Sequence, residues 1–427
     1  MRALPLCLAL IVSLTLVACE NPSDPTGPSV LIDVPTGPTE DLTPTEFVRP
    51  ELPFDKAQLE DVGLQLYWSK PGVLLDGETV EAIYQLDENV YCVTNQNNLV
   101  AHDAISGIYR WRQNVGPRGQ IVFAPTHADS VSIPDEPHGM VEILDPTTAE
   151  YVLPFDAVFV NTLSYVIVLD RKTGRLVRDT NAIPFRGYAA SAAGVSDGAN
   201  FYVPTAQGRV RSIDMNTATE TWAESTGRTI SCDLLYADNH LYAASEDGAI
   251  YCYNVTNGHE IWNHQMSGPV VTNFSLRKGR LVVPCKELRL YSFDALSGVA
   301  MWIDAFVLPS KLTTPVTVSE LAAYQYCEVG GIFAVDLNTG QEMWNVPNGR
   351  KVLMVDDYKA YILDTDEQLH IISESSGEEL AVIDFSGFDM VLTNATRPAI
   401  YAAMANGDLF CIRPESAGYL TPEMLKD

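Results

Sequence analysis

Positive charge is scarce in this chain of 427 residues: 27 lysines and arginines stand against 55 aspartates and glutamates, a formal net charge of −28 at pH 7. So acidic a surface repels phosphate backbones, which excludes nucleic acid as a partner and suits a cation or a basic protein surface instead. Eight cysteines are present, yet no two are adjacent and no Cys-x-x-Cys or Cys-x-x-Cys-His occurs. Thioredoxin-like exchange and covalent haem attachment therefore lack their residues. Gly-x-Ser-x-Gly, His-Glu-x-x-His and phosphate-loop spacings are missing as well. On these grounds no catalytic residue, no metal site and no cofactor is expected.

What the chain has in quantity is repetition. Residues 330 to 344 read GGIFAVDLNTGQEMW, a turn, a short apolar strand, a second turn and the start of another strand. The same hairpin recurs as AHDAISGIYRW ending at Trp111, DMNTATETW at Trp222, NVTNGHEIW at Trp262 and DALSGVAMW at Trp302. Trp222, Trp262 and Trp302 are 40 residues apart and Trp344 follows after 42, a period with room for about four short strands, as in a β-propeller blade. Two further copies keep the turn and lose the ring, with Arg178 and Ala381 in the tryptophan position. In each turn an aspartate, Asp103, Asp170, Asp214, Asp294 or Asp336, can accept a hydrogen bond from backbone two residues on. Gly107, Gly174, Gly298 and Gly340 then supply the left-handed residue that completes it. The tryptophan is expected to cover the seam to the next blade, burying about 150 to 250 Å² of ring.

The two ends of the repeat region complete each other. Residues 64 to 68, LQLYW, look like the last strand of a blade, and residues 390 to 414 supply three strands and then stop. Entry of the N-terminal strand into the C-terminal blade would leave no open sheet edge. With closing strands at Trp68, Trp111, Arg178, Trp222, Trp262, Trp302, Trp344 and Ala381, the expected fold is all-β, an eight-bladed propeller of four-stranded blades over residues 58–427. All six tryptophans of the chain occupy this one repeat position.

Ahead of the body, Arg2 and an apolar run over residues 4 to 16, too short to span a membrane stably, lead to Leu16-Val17-Ala18-Cys19. This resembles the lipobox of bacterial lipoproteins, which implies a signal peptide over residues 1–18 and a lipid on Cys19, an anchor without a span. Glu20 is not the aspartate that such proteins carry when held in the inner membrane, so the outer membrane is favoured. Residues 19–57 are rich in proline and acid and poor in apolar side chains, and read as a tether reaching roughly 35 Å on average.

The second blade is irregular, with an insertion over about residues 125–155 that contains a candidate strand pair, residues 140–144 and 150–153. It is either a binding element or a decoration. His127, Asp129, Asp135, Glu136 and His138 cluster there, but a proline between the histidines and no regular spacing favour a polar loop over a metal site. Asp364, Asp366 and Glu367 resemble a fragment of a calcium loop, yet the repeat places them in an exposed hairpin, where they serve solubility. Cys285 and Cys327 fall at the same position of neighbouring blades, either as a disulfide or as buried thiols.

The hairpin AVDLNTGQEMW closely resembles the tryptophan-docking repeat of quinoprotein-type (PQQ-like) propellers. That group includes pyrroloquinoline-quinone alcohol dehydrogenases and the BamB-type lipoproteins of outer-membrane β-barrel assembly, and the resemblance covers about residues 62 to 418. The dehydrogenases imply a vicinal disulfide, a calcium site and long loops around the cofactor; the cysteines are absent here and the body leaves little room for the loops. The assembly lipoproteins match better in lipobox, blade number and length. The resemblance thus implies a monomeric, non-enzymatic scaffold facing the periplasm, bound to the membrane through its lipid alone and to protein partners such as the outer-membrane barrel-assembly complex. A lineage-specific periplasmic or surface binding protein and a quinone-dependent oxidoreductase are the alternatives.

Overall fold

Four-residue turns and short apolar strands alternate from end to end of the computed structural model, which describes residues 49–131, 155–177 and 182–425. The strands form eight antiparallel sheets of four, each built from consecutive strands except the last. In chain order they are blade 1 (residues 80–114), blade 2 (126–184), blade 3 (195–225), blade 4 (235–265), blade 5 (275–307), blade 6 (317–346) and blade 7 (349–384). Blade 8 joins the two ends. Its strands Met390–Val391, Ile400–Ala403 and Leu409–Pro414 are completed by Leu64–Lys70, with Leu64 opposite Pro414 and Lys70 opposite Leu409. The closure read from the unmatched ends is the one the ring uses.

Burial follows the order of strands within a blade. Asn89–Thr94, second in blade 1, is buried at every residue, whereas the fourth strand of blade 3, Thr219–Ser225, is exposed or half-buried throughout. First strands of neighbouring blades approach one another, as between blades 2 and 3 and between blades 8 and 1. They therefore lie innermost, and the fourth strands form the rim.

A detail invisible in the repeat count aims the tryptophans. In blades 1, 3, 4 and 6 the pairing of third and fourth strands slips by one residue just before the ring: Ser212 faces Trp222 but the next residue, Ile213, faces Glu220. This β-bulge turns the strand so that the indole leaves its own sheet for the next. Blade 8 has the same slip at Tyr67, ahead of Trp68.

Two boundaries differ from the sequence reading. Residues 49–57, assigned to the tether on composition, lie against the ring: Leu52 and Phe54 pack with Leu59, Phe385 and Phe388, and Arg49 Nε donates to Ser69 Oγ at 3.1 Å. Few as they are, these apolar side chains suffice to dock the segment, and the short helix Ala57–Asp61 follows it. The stretch assigned to the insertion begins inside the blade, because Thr126–Val131 is the first strand of blade 2 and pairs with Phe155–Asn161. The candidate strand pair at 140–153 and Asp135, Glu136 and His138 lie outside the described residues, as do Cys19, the signal segment, the tether up to residue 48 and Arg178.

Candidate functional site at the blade seams

The turn after the third strand is closed by an aspartate in blades 1, 2, 3, 5 and 6, with Asn254 and Ser373 in its place in blades 4 and 7. Asp336 Oδ1 accepts the N–H groups of Asn338 at 2.9 Å and Thr339 at 2.7 Å, together with the Thr339 hydroxyl at 2.9 Å. Asp103, Asp170 and Asp214 are bonded in the same way, and Asp294 accepts from the Ser297 N–H and hydroxyl. Onto this turn comes the tryptophan of the preceding blade. Trp68, Trp111, Trp222, Trp262, Trp302 and Trp344 each donate Nε1–H to one carbonyl of the next turn, those of Ala104, Arg171, Val255, Ala295, Leu337 and Glu374, at 2.7 to 3.3 Å.

The ring also decides the glycine. Gly107, Gly174, Gly258, Gly298, Gly340 and Gly377 hold φ between +68° and +74°, and a Cβ on any of them would meet the incoming tryptophan at 2.4 to 2.7 Å. Glycine is thus required twice, for the backbone angle and for the face of the indole. A partner the sequence reading missed sits behind five of the rings: Tyr401, Tyr91, Tyr202, Tyr242 and Tyr324 lie with centroids 5.6 to 6.1 Å from Trp68, Trp111, Trp222, Trp262 and Trp344. The hydroxyls of Tyr401 and Tyr242 reach the same carbonyls, Ala104 and Ala295, that the tryptophans use. The signal available was a tyrosine in the second strand of most blades.

Both missing tryptophans have a structural counterpart. The copy with Arg178 in the tryptophan position precedes the turn of blade 3, and there the glycine is replaced by Ala218 at φ +54°. With no indole to clear, a methyl group fits. The blade carrying Ala381 precedes blade 8, whose fourth strand comes from the other end of the chain, so no hairpin turn exists for a ring to cover. Its place is taken by Leu52, Phe54, Leu59 and Leu64, in the cluster against which Ala381 packs.

One seam carries a polar cluster instead of a simple dock. At the junction of blades 1 and 2 the Arg171 guanidinium, almost wholly buried, forms ion pairs with Asp87 at 3.2 Å, Glu88 at 3.0 Å, Asp129 at 2.9 Å and Asp156 at 3.4 Å. His127 is sandwiched in the same network, Nδ1 2.7 Å from Asp87 Oδ2 and Nε2 2.8 Å from the Tyr91 hydroxyl. Burial pushes the His127 pKa down, against the pull of the Asp87 hydrogen bond. For Asp87 burial acts to raise the pKa, but the His127 hydrogen bond and the charges of His127 and Arg171 outweigh it and hold the carboxyl below its ordinary range. One guanidinium thus gathers four carboxylates, two from each of two neighbouring blades. Among the described residues no group of three or more histidines, cysteines, aspartates or glutamates is placed to hold a metal.

The remaining sequence candidates are structural in their contacts. Asp364 is buried, not an exposed solubility residue: its carboxylate accepts the Asp366 and Gln368 N–H groups at 2.8 Å each and lies 3.1 Å from His370 Nε2. Only Asp366 of the three is exposed. Cys285 and Cys327 are separate free thiols. Each bonds the segment entering its own blade, Cys285 Sγ to the Gly268 carbonyl at 3.2 Å and Cys327 Sγ to the Ser310 hydroxyl at 2.9 Å. Equivalent positions on neighbouring blades therefore turn to equivalent loops, not to each other.

Residues 162–382, just over half of the chain, match the family model described as outer membrane protein assembly factor BamB. The chain belongs to the BamB family. It is 23% identical to the outer membrane protein assembly factor BamB of Burkholderia pseudomallei over 164 residues, 38% of this chain and 42% of that protein. To the BamB of Shewanella oneidensis it is 23% identical over 290 residues, 64% of this chain and 66% of that one. The chain thus spans between two fifths and just under two thirds of the length of these curated relatives. The crystal structure of BamB from Moraxella catarrhalis superposes with a TM-score of 0.56 at 16% identity, covering 79% of this chain and 97% of that one, which is a likeness of fold.

Proposed function

We propose that this BamB-family chain is a lipid-anchored, non-catalytic scaffold that binds other proteins during assembly of outer-membrane β-barrel proteins. Its lipid would sit on Cys19 and its body would face the periplasm. The observation that carries the reading is the family match together with a closed eight-bladed ring whose tryptophans, tyrosines and turn aspartates are engaged in holding seams. A ring closed by its own N-terminal strand needs no second copy to complete a blade, which supports a monomeric body. Large surface and rigid seams suit presentation of loops and edges to partners, with the barrel-assembly complex as the partner of choice.

The test is extraction of the tagged, lipidated protein from its own cells in mild detergent, with mass spectrometry of what accompanies it. Recovery of a barrel-assembly channel protein and companion lipoproteins is expected. Recovery of the protein alone would overturn the assembly role. Incorporation of a clickable fatty acid, lost in Cys19→Ser, checks the anchor.

A further inference from the structure

Six seams of the ring are closed by an indole resting on a glycine of the next turn; the seam of blades 7 and 8 is closed by a segment from outside the blades. Gly387, in the link between those two blades, holds φ +94°, and a Cβ there would lie 2.5 Å from the ring of Pro53. Beside it Phe54 stacks on the same link, with its centroid 5.4 Å from that of Phe385 and 5.8 Å from that of Phe388. Phe388 in turn lies 5.2 Å from Phe410 in the third strand of blade 8. A glycine beneath a ring, the device of the tryptophan docks, is thus repeated with side chains of residues 49–62.

The segment doubles back along the strand that closes the ring. Leu59, in the helix Ala57–Asp61, packs with Leu64 at the start of that strand. Near its other end Ser69 Oγ accepts from Arg49 Nε at 3.1 Å and donates to the Pro50 carbonyl at 2.8 Å. Residues 49–62 therefore run back beside Leu64–Lys70, and the chain enters the described body next to Ser69, not in line with Leu64.

Two kinds of hold follow one another here. Among the described residues no hydrogen bond between main-chain groups joins residues 49–62 to the ring, and the first is from the Glu415 N–H to the Gly63 carbonyl at 2.9 Å. Side chains supply the contacts instead: the stacked rings, the bonds at Ser69, and Gln58 Oε1, which accepts the Asp384 N–H of blade 7 at 3.1 Å. From Leu64 onward the hold is a strand ladder, with Leu64 opposite Pro414 and Lys70 opposite Leu409. A segment without a ladder opens at lower cost than the paired strand that follows it.

From this we infer that residues 49–62 form a releasable latch on the ring. Docked, the latch holds the blade 7–8 seam shut and takes up a pull arriving through the tether before the closing strand is loaded; lifted, it lets that strand and blade 8 open locally. The latch is read from contacts of this chain, whereas the pull rests on the anchored-scaffold reading, which fatty-acid incorporation at Cys19 tests apart from it.

Two buried thiols at equivalent positions report on the latch. Cys411 lies opposite Trp68 of the closing strand, and Cys252 of blade 4 lies opposite Trp262, away from the latch. The chain from Glu20 onward, unaltered and as Leu52→Ser/Phe54→Ser, is treated with N-ethylmaleimide, and each cysteine is followed by mass spectrometry. Alkylation of Cys411 at least tenfold faster in the variant is expected, with Cys252 unchanged. An unchanged Cys411 would overturn the latch, and so would equal acceleration of both thiols, which would mean a general weakening of the ring.

A second measurement reads the pull. Drawn apart in optical tweezers between Glu20 and exposed Asn257 of blade 4, the unaltered chain should give a reversible first step of at most about 50 Å, the extended length of residues 49–62, before the ring opens. The variant should lack that step. A single opening event in both would overturn the claim that the latch yields first. Neither readout involves a partner protein, so failure here leaves the scaffold reading to the detergent extraction.

Discussion

Trp111 and Arg171 meet across the first seam in a way that gives one residue two duties: the Arg171 carbonyl accepts the Trp111 indole N–H at 3.0 Å, while its guanidinium reaches back to four carboxylates. Backbone and side chain of a single residue therefore serve both the hydrophobic and the charged part of the joint. Replacing Arg171 with Met keeps the first and removes the second. Three half-buried carboxylates and the exposed Asp129 would then crowd together without their cation, a loss of about 1 to 3 kcal/mol after solvent screening. Urea unfolding should show it, and a change below about 1 kcal/mol would mean that solvent screens the cluster.

The glycines under the tryptophans give a graded test. Gly279 and Gly298 both hold positive φ, +74° and +68°, but a Cβ at 279 meets nothing within 4 Å whereas one at 298 lies 2.6 Å from Trp262. Gly279→Ala should cost about 1 to 2 kcal/mol for its backbone angle alone. Gly298→Ala should cost clearly more, because the indole must move. Equal midpoints for the two variants in denaturant would remove the indole from the explanation.

At Ala218 the argument runs in reverse. This residue holds φ +54° with no indole above it, so Ala218→Gly relieves strain without opening a void under a ring. The greater freedom of glycine in the unfolded chain offsets part of the gain. A net stabilisation of up to about 1 kcal/mol is expected, read as a raised midpoint of unfolding. A lowered midpoint would show that the Ala218 methyl contributes packing.

Two histidines should respond to pH in opposite senses. Burial pushes the His102 pKa from 6.5 down to about 4, with the Gly107 carbonyl pulling the other way. Between those values the unfolded chain holds more protons than the folded ring, so stability falls as pH falls through that window. For His370 burial acts to lower the pKa, but the hydrogen bonds with Glu379 and Asp364 outweigh it and the net shift is upward. Its contribution is full below about 6.5 and lost as pH rises through the raised value. His102→Gln should flatten the acid side of a stability profile, and His370→Gln should cost stability near pH 5 while changing little near pH 9. Parallel profiles for the two variants would contradict the opposed signs.

The cysteines can be counted directly. Cys92, Cys232, Cys252, Cys285, Cys327 and Cys411 are all buried and free. A chain beginning after Cys19 should give no rapid reaction with a thiol reagent when folded and six equivalents in denaturant. Four equivalents would restore the disulfide that the sequence left open.

The periodic part of this fold was legible because its residues are costly to replace. A docked tryptophan needs a turn glycine in the next blade, and that coupling kept Trp222, Trp262, Trp302 and Trp344 in a period near 40 even where strands vary. Closure by Leu64–Lys70 was legible for a related reason, since three strands at one end and one at the other leave a single way to avoid an open edge. The tyrosines behind the rings are harder to read, because a second strand buried throughout accepts many apolar side chains and only their recurrence in that strand of most blades marks the hydroxyl that crosses the seam. The burial of Asp364 was hidden likewise: a run of acids reads as solvated until the strand beside it supplies His370. At the candidate site the sequence brought out His127 and Asp129 but not Arg171 of their own blade, nor Asp87 and Glu88 of blade 1, which meet them only through the meeting of two blades.

Closure of blade 8 by residues 64–70 and 409–414 also orders events in time. The first of these strands precedes its partner by more than three hundred residues in the chain, so when the chain emerges from its N-terminus into the compartment where it folds, every other blade can form while the clasp still hangs open. Until the final strand emerges, the newborn protein is an arc with two raw ends, and a truncation short of Leu409 would leave it one for good.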